Sequence, residues 1–290
     1  MPFTLSHAAA VLPVLRTGGT GRAGLVPAVL VAGSFAPDMT YYAASVLSGA
    51  MEFGDVTHSV PGVFTVDVVI TWALVGMWLL LRGPLVALLP GRLQARPAAL
   101  LRCGVPRARV TPGLAARWYV SAVLGGLTHV VWDAFTHLDR WGTRVFPVLG
   151  EKVAGSPLYW YLQYGGSAVA AVVIAVFVTV ALRRAAGVPV AGVPVLSVRD
   201  RWVAVVVLGG CAAVGAFQRA SGWWEYWGAT AEYWELIPSL CFGAGAGLAV
   251  GLVLYGAAVR LWRPVPDPGP GSTATGGAGR ERERSWPGVR

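Results

Sequence analysis

The chain has 290 residues, of which 55% are hydrophobic and only 13% charged, and its mean hydropathy is +0.59. A soluble domain carries about a quarter charged residues, so an ordinary soluble enzyme is all but excluded, and disorder is excluded over most of the length. The net charge of +9, from 22 arginines and the single Lys152 against 14 acids, suits either nucleic acid or the cytoplasmic loops of a membrane protein.

Residues 4–16 (TLSHAAAVLPVLR) predict a short helix that Thr4 or Ser6 can cap. It is too short to cross a hydrocarbon core of about 30 Å. A Gly-rich turn follows at 17–23. Residues 24–50 are apolar but interrupted at Gly33-Ser34-Phe35-Ala36-Pro37-Asp38, where the proline predicts a break before the segment resumes. Residues 62–81 predict a transmembrane span with Asp67 as its only charge. Residues 82–117 form a Pro- and Gly-rich connector with seven arginines (82, 92, 96, 102, 107, 109, 117) and no acid. Residues 118–138 are long enough to span but carry two histidines and an aspartate. Residues 163–182 and 238–262 are clean spans, and 202–217 is a shorter one. The tail, 263–290, is rich in Pro, Gly, Ser, Thr and Arg and is predicted disordered.

The expected fold is all-α: a polytopic helical membrane bundle of about five or six membrane-embedded segments. It forms one domain over 1–262, with the chemistry-bearing part in 1–138. The seven connector arginines lie between apolar spans rather than on a helix with interleaved aromatics, so no nucleic-acid partner is expected. Loop charges alternate: +7 over 82–117, +1 over 139–162, +3 over 183–201, −2 over 218–237, then a basic tail. That order predicts the first, the third and the C-terminus in the cytoplasm. Cys103, Cys211 and Cys241 are far apart and read as small buried hydrophobes rather than a disulfide framework. The amino terminus lacks the basic stretch of a standard signal peptide. No internal repeat is evident.

The four histidines, His7, His58, His129 and His137, all fall in the first 137 residues. His129, Asp133 and His137 are spaced four apart. On a helix they drift by only about 80° and share one stripe. Two imidazoles and a carboxylate there suit a metal ion; the plainer alternative is hydrogen bonding to neighbouring helices. Asp38, at the break, can reach into the bundle or cap a helix over 39–50. Asp67 can orient a ligand histidine or be satisfied by a facing helix. The Trp-rich stretch 222–235 reads as an interfacial belt or, alternatively, a lid. No GxSxG elbow, phosphate loop or HExxH motif is present.

The opening Met1-Pro2-Phe3-Thr4-Leu5-Ser6-His7, the Gly33–Asp38 segment, His58-Ser59 and the run from Thr128 to His137 (THVVWDAFTH) resemble the bacterial membrane family catalogued as domain of unknown function 4184. The resemblance covers roughly residues 1–262. That family is similar, more distantly, to inner-membrane metal-dependent hydrolases and to the zinc-dependent phospholipases C and their nuclease relatives. The resemblance implies a helical scaffold holding divalent metal, zinc above all, through His7, Asp38, His58, His129, Asp133 and His137. Asp38 or Asp133 would be available as general base. The phospholipase group also uses an N-terminal Trp, which is absent here, so one or two ions are expected rather than three. The function this implies is metal-dependent hydrolysis of a lipid or phosphoester at the bacterial cytoplasmic membrane. The rival is a non-enzymatic membrane protein that binds or conducts metal or protons, or a purely structural bundle. Only one broken helix is evident, which disfavours a transporter. One conflict stands in the charges: Arg16 and Arg22 vote for a cytoplasmic amino terminus, whereas His7 must reach a site near the outer face.

Overall fold

The structure is a computed structural model and describes residues 3–105, 109–138, 140–187, 192–230 and 232–263. The tail expected to be disordered lies outside the described residues beyond Arg263, as does Arg107 of the connector. The described chain is mostly helical, with one hairpin of β1 (Lys152–Val153) and β2 (Ser156–Pro157).

The first helical segment, α1, runs Thr4–Val14, partly as 3₁₀ turns. Neither Thr4 nor Ser6 caps it, because the cap position is Phe3. The Thr4 hydroxyl donates to Asp38 instead, at 2.5 Å, and Ser6 donates to the Phe3 carbonyl. Helix α2 (Pro27–Gly33) then stops at the expected break. Helix α3 covers only Met39–Ala43, not 39–50, and turns lead into α4 (Gly54–Thr57).

The expected span 62–81 is α5 (Val60–Phe64) and α6 (Val66–Ala87), divided at Thr65, whose backbone leaves the helical region. Helix α6 runs on through Pro84. A proline cannot donate to the carbonyl four residues back, and that carbonyl, Leu80, accepts from Arg260 instead, while the Tyr255 hydroxyl donates to Pro84 O at 2.6 Å. Helices α7 (Ala95–Leu100), α8 (Pro112–Thr136) and α9 (Trp141–Val145) follow, then α10 (Leu158–Arg184), α11 (Val198–Trp227) and α12 (Leu236–Trp262).

Helix α11 is far longer than the apolar window 202–217. Its amino end closes with a capping box between Ser197 and Asp200. Near its other end, Arg219 donates to Tyr41 O and Ser45 Oγ at 2.8 and 3.0 Å, so polar residues continue the helix at little cost.

Four helices are long and apolar enough to cross a membrane, α6, α10, α11 and α12. They suit a multi-pass membrane protein. The expectation of about five or six embedded segments counted α8 as well. Helix α8 has 25 residues but dilutes its apolar character with Ser121, His129, Asp133 and Thr136, all of which it buries in the bundle. One face of the helix is thus turned to the protein, while Val120, Leu124, Val131 and Trp132 remain exposed on the other.

Helices α2, α5, α6 and α8 share a core of Val29, Ala32, Val63, Val68, Val75, Ala122 and Val123. Helix α2 crosses α8 where both backbones are bare. A β-carbon on Gly33 would lie 2.6 Å from Ala122 O, and one on Gly125 would strike Leu30 O and lie 2.8 Å from Ser34 N. Only glycine allows this approach, and it brings the break at 33–38 against the polar stripe of α8.

The amino-terminal conflict resolves as a hairpin. His7 stacks on His129 at one end of the bundle. Ten residues on, Thr17 accepts a hydrogen bond from Arg184 at the far end of α10. Helix α2 then returns towards the site. One segment thus places Arg16 at the basic end and His7 at the other.

Candidate metal centre

Three parts of the chain supply the site. The break after α2 turns the Asp38 carboxylate inward, and α4 ends on His58. The last two turns of α8 present His129 and Asp133 one above the other, as the four-residue spacing requires.

Asp38, His58, His129 and Asp133 are all buried, and each offers a ligand atom within 4.8 Å of the others; this group can hold a metal ion. His129 Nε2 lies 3.4 Å from both Asp38 Oδ1 and Asp133 Oδ2. His58 Nε2 lies 3.5 Å from Asp38 Oδ1 and 3.7 Å from Asp133 Oδ2. Although Asp38 stands at the cap position of α3, its side chain makes no capping bond. Its Oδ2 accepts from Thr4, which leaves Oδ1 facing the imidazoles.

The protonation pattern follows from the partners. His129 Nδ1 is 2.8 Å from the Ser34 carbonyl, and His58 Nδ1 is 2.9 Å from the Gly54 carbonyl. A carbonyl only accepts, so each Nδ1 carries a proton, and in the neutral ring each Nε2 then presents its lone pair. Those lone pairs point at carboxylates, and neither Nε2 has a hydrogen-bond partner among the described residues. A neutral imidazole that faces a carboxylate in a buried site calls for positive charge between them, either a metal ion or a second proton on the ring. The donor set of two imidazoles and two carboxylates is one that borderline divalent ions accept, at bond lengths of about 2.0–2.2 Å for zinc. Burial alone would raise the pKa of Asp38. Positive charge on the neighbouring imidazoles when they are protonated, His129 foremost, outweighs that and holds it well below the usual carboxylate range.

The remaining sequence-predicted residues flank this group. His7 stacks on His129 with ring centroids 3.6 Å apart, and its Nε2 is 3.5 Å from Asp133 Oδ1. Neither of its nitrogens has a hydrogen-bond partner among the described residues. Burial, then the adjacent His129, hold its imidazole well below its ordinary pKa, so it is neutral at neutral pH. Asp133 thus directs Oδ2 to the four-residue group and Oδ1 towards His7. His137 stands at the mouth, its Nδ1 3.6 Å from Asp133 Oδ2 and 3.3 Å from the Asp133 carbonyl, while Gln163 donates to its Nε2 at 3.1 Å. Both its nitrogens are engaged, which sets it apart from the other histidines. Asp67 is buried in the first turn of α6, and neither carboxylate oxygen has a hydrogen-bond partner among the described residues. It neither orients a ligand histidine nor is satisfied by a facing group. Backbone carbonyls perform the orienting role expected of it.

Two further residues act at the site: Thr4, which lies in the opening motif but reads locally as a cap, and Gln163, which lies outside the motif segments altogether. The Trp-rich stretch is mostly helical, the end of α11, and beyond it Glu235, Pro238 and Phe242 line a cavity of about 530 Å³ that opens onto Asp38, Asp133 and His137.

The chain matches the family described as Domain of unknown function (DUF4184) over residues 1–257, and it belongs to that family. No curated protein and no solved structure matches it.

Proposed function

We propose that this chain is a multi-pass protein of the bacterial cytoplasmic membrane that uses a divalent metal, zinc above all, to hydrolyse a lipid or phosphoester at the membrane. The supporting observation is the convergence of two imidazoles and two carboxylates, all buried, with His Nε2 to carboxylate distances of 3.4–3.7 Å. Asp38 Oδ1, Asp133 Oδ2 and the Nε2 atoms of His58 and His129 would hold the ion. His7 with Asp133 Oδ1 offers a second position. A divalent cation there would lower the pKa of a water and stabilise charge developing on the substrate. If only the first position is filled, Asp133 Oδ1, on a carboxylate that borders both cavities, would be available to accept a proton, while Thr4 keeps Asp38 oriented.

Metal content decides the first half of this reading. The protein purified in mild detergent should carry stoichiometric zinc, and His129→Ala and Asp133→Ala should lose it. Wild type that carries none and takes up none on titration ends the reading.

A second reading is a non-enzymatic protein in which the same cluster binds or relays metal or protons. Asp67 favours it, because an unpartnered buried acid in a membrane bundle is a common mark of a relay. Metal bound without turnover of any lipid or phosphodiester in a substrate panel would move this reading ahead.

A further inference from the structure

Two cavities meet at the cluster, and they differ in chemistry. One, of about 530 Å³, reaches Asp38, Asp133 and His137 past an aromatic side of Tyr41, Trp160, Tyr164 and Phe242, with Gln163 and Glu235 also on its wall. The other, of about 540 Å³, reaches His58 and Asp133 and holds Arg140, Arg144 and Asp55. Arg140 lines both. It sits at the start of α9, three residues beyond His137. Its guanidinium has no hydrogen bond or ion pair among the described residues, although it borders two cavities lined by carboxylates. With a divalent ion balancing Asp38 and Asp133, Arg140 is the cation that borders both cavities, with Arg144 and Asp55 in the second and Glu235 in the first. A guanidinium is planar and suited to bidentate contact with phosphate oxygens.

We propose that Arg140, with Arg144 beside it, receives the phosphate of an amphipathic phosphoester and holds it against the Asp38–His58–His129–Asp133 cluster, while the apolar part of the substrate lies among Tyr41, Trp160, Tyr164 and Phe242. The inference rests on the metal-dependent reading above and names its substrate class. Arg140 borders both cavities, so a phosphate on it leaves an attached chain at the entrance to the aromatic one. A water-soluble phosphoester would gain nothing from that aromatic wall, whereas a lipid phosphoester uses both cavities at once.

The test is a set of titrations on the zinc-loaded, detergent-purified full chain with three probes: dihexanoyl phosphatidic acid, dihexanoylglycerol and inorganic phosphate. Zinc content is measured in parallel for wild type, Arg140→Ala, Arg140→Lys and Phe242→Ala. Phosphatidic acid should bind more tightly than dihexanoylglycerol. Arg140→Ala should weaken phosphatidic acid and inorganic phosphate by about tenfold or more, a loss typical of one charged hydrogen-bonding group. Arg140→Lys should fall between, because it keeps the charge without the fork. Phe242→Ala should weaken phosphatidic acid and leave inorganic phosphate unchanged. Equal binding of phosphatidic acid by wild type and both Arg140 variants overturns the proposal. So does equal affinity for phosphatidic acid and dihexanoylglycerol, or Arg140-dependent binding of inorganic phosphate alone, which would assign the site to free phosphate. Zinc binding without Arg140-dependent phosphate binding removes this subsite and leaves the metal reading standing. Arg140-dependent phosphatidic acid binding by a chain that takes up no metal does the reverse.

Discussion

At His129 the imidazole has no exposure to water, and its one hydrogen bond goes to a backbone carbonyl. That contact decides which nitrogen can coordinate. Coordination requires a neutral imidazole, so protons compete with the metal and acid releases it. As the imidazoles take up protons they hold Asp38 low despite its burial, so it stays ionised, and the loss follows the histidines. Zinc retained after dialysis should therefore fall between about pH 6.5 and pH 5. Equal retention at both ends contradicts the assignment. Asp67 yields a different expectation. Its carboxylate is buried without a hydrogen-bond partner, a costly arrangement. Asp67→Asn should leave zinc content unchanged and keep or raise the unfolding midpoint. Loss of zinc would mean that Asp67 supports the ligands after all. The histidines, their four-residue spacing with Asp133, and Asp38 at its break were all legible in the sequence. Thr4 and Arg140 were not, because their roles come from partners distant in the chain or from cavities made by several segments.

At the scale of elements, the site depends on α2 meeting α8 at backbone distance. Gly125→Ala would place a methyl against Leu30 O and Ser34 N, both backbone atoms that cannot rotate away. The cost should be about 1–3 kcal/mol, seen as a lower unfolding midpoint. The same shift would pull the Ser34 carbonyl from His129, so zinc affinity should fall as well. A variant with unchanged stability and zinc affinity would show that the crossing has room to spare. The break at 33–38 was readable from Pro37. The extension of α11 to Trp227 was not, because an apolar window stops at the first polar residues, whereas the helix continues where Arg219 finds acceptors on the α3 side.

Taken whole, the bundle is polar in two senses. The cluster lies at the end formed by the start of α6, the end of α8 and the start of α10. The opposite end holds Arg82, Arg92, Arg96, Arg183, Arg184, Arg199, Arg201 and Arg263, one of which, Arg263, pairs with Asp200 at 3.1 Å. We propose, on the positive-inside rule, that the arginine end is cytoplasmic and the site faces outward. In a background with Cys103, Cys211 and Cys241 replaced by alanine, a membrane-impermeant maleimide applied to intact cells should label Val153→Cys and spare Arg96→Cys. The opposite pattern reverses the orientation.

By itself the sequence determined that this is an apolar helical chain and which few residues have metal chemistry. Composition, loop charge and spacing along one helix are local properties, and they survive without knowledge of packing. Only the tertiary structure decided that His7 reaches the cluster, that Gly33 and Gly125 let two backbones touch, and that Asp67 stands apart from it. Each of these depends on which groups from distant segments meet when water is removed, and that is a property of the packed bundle rather than of any stretch of chain.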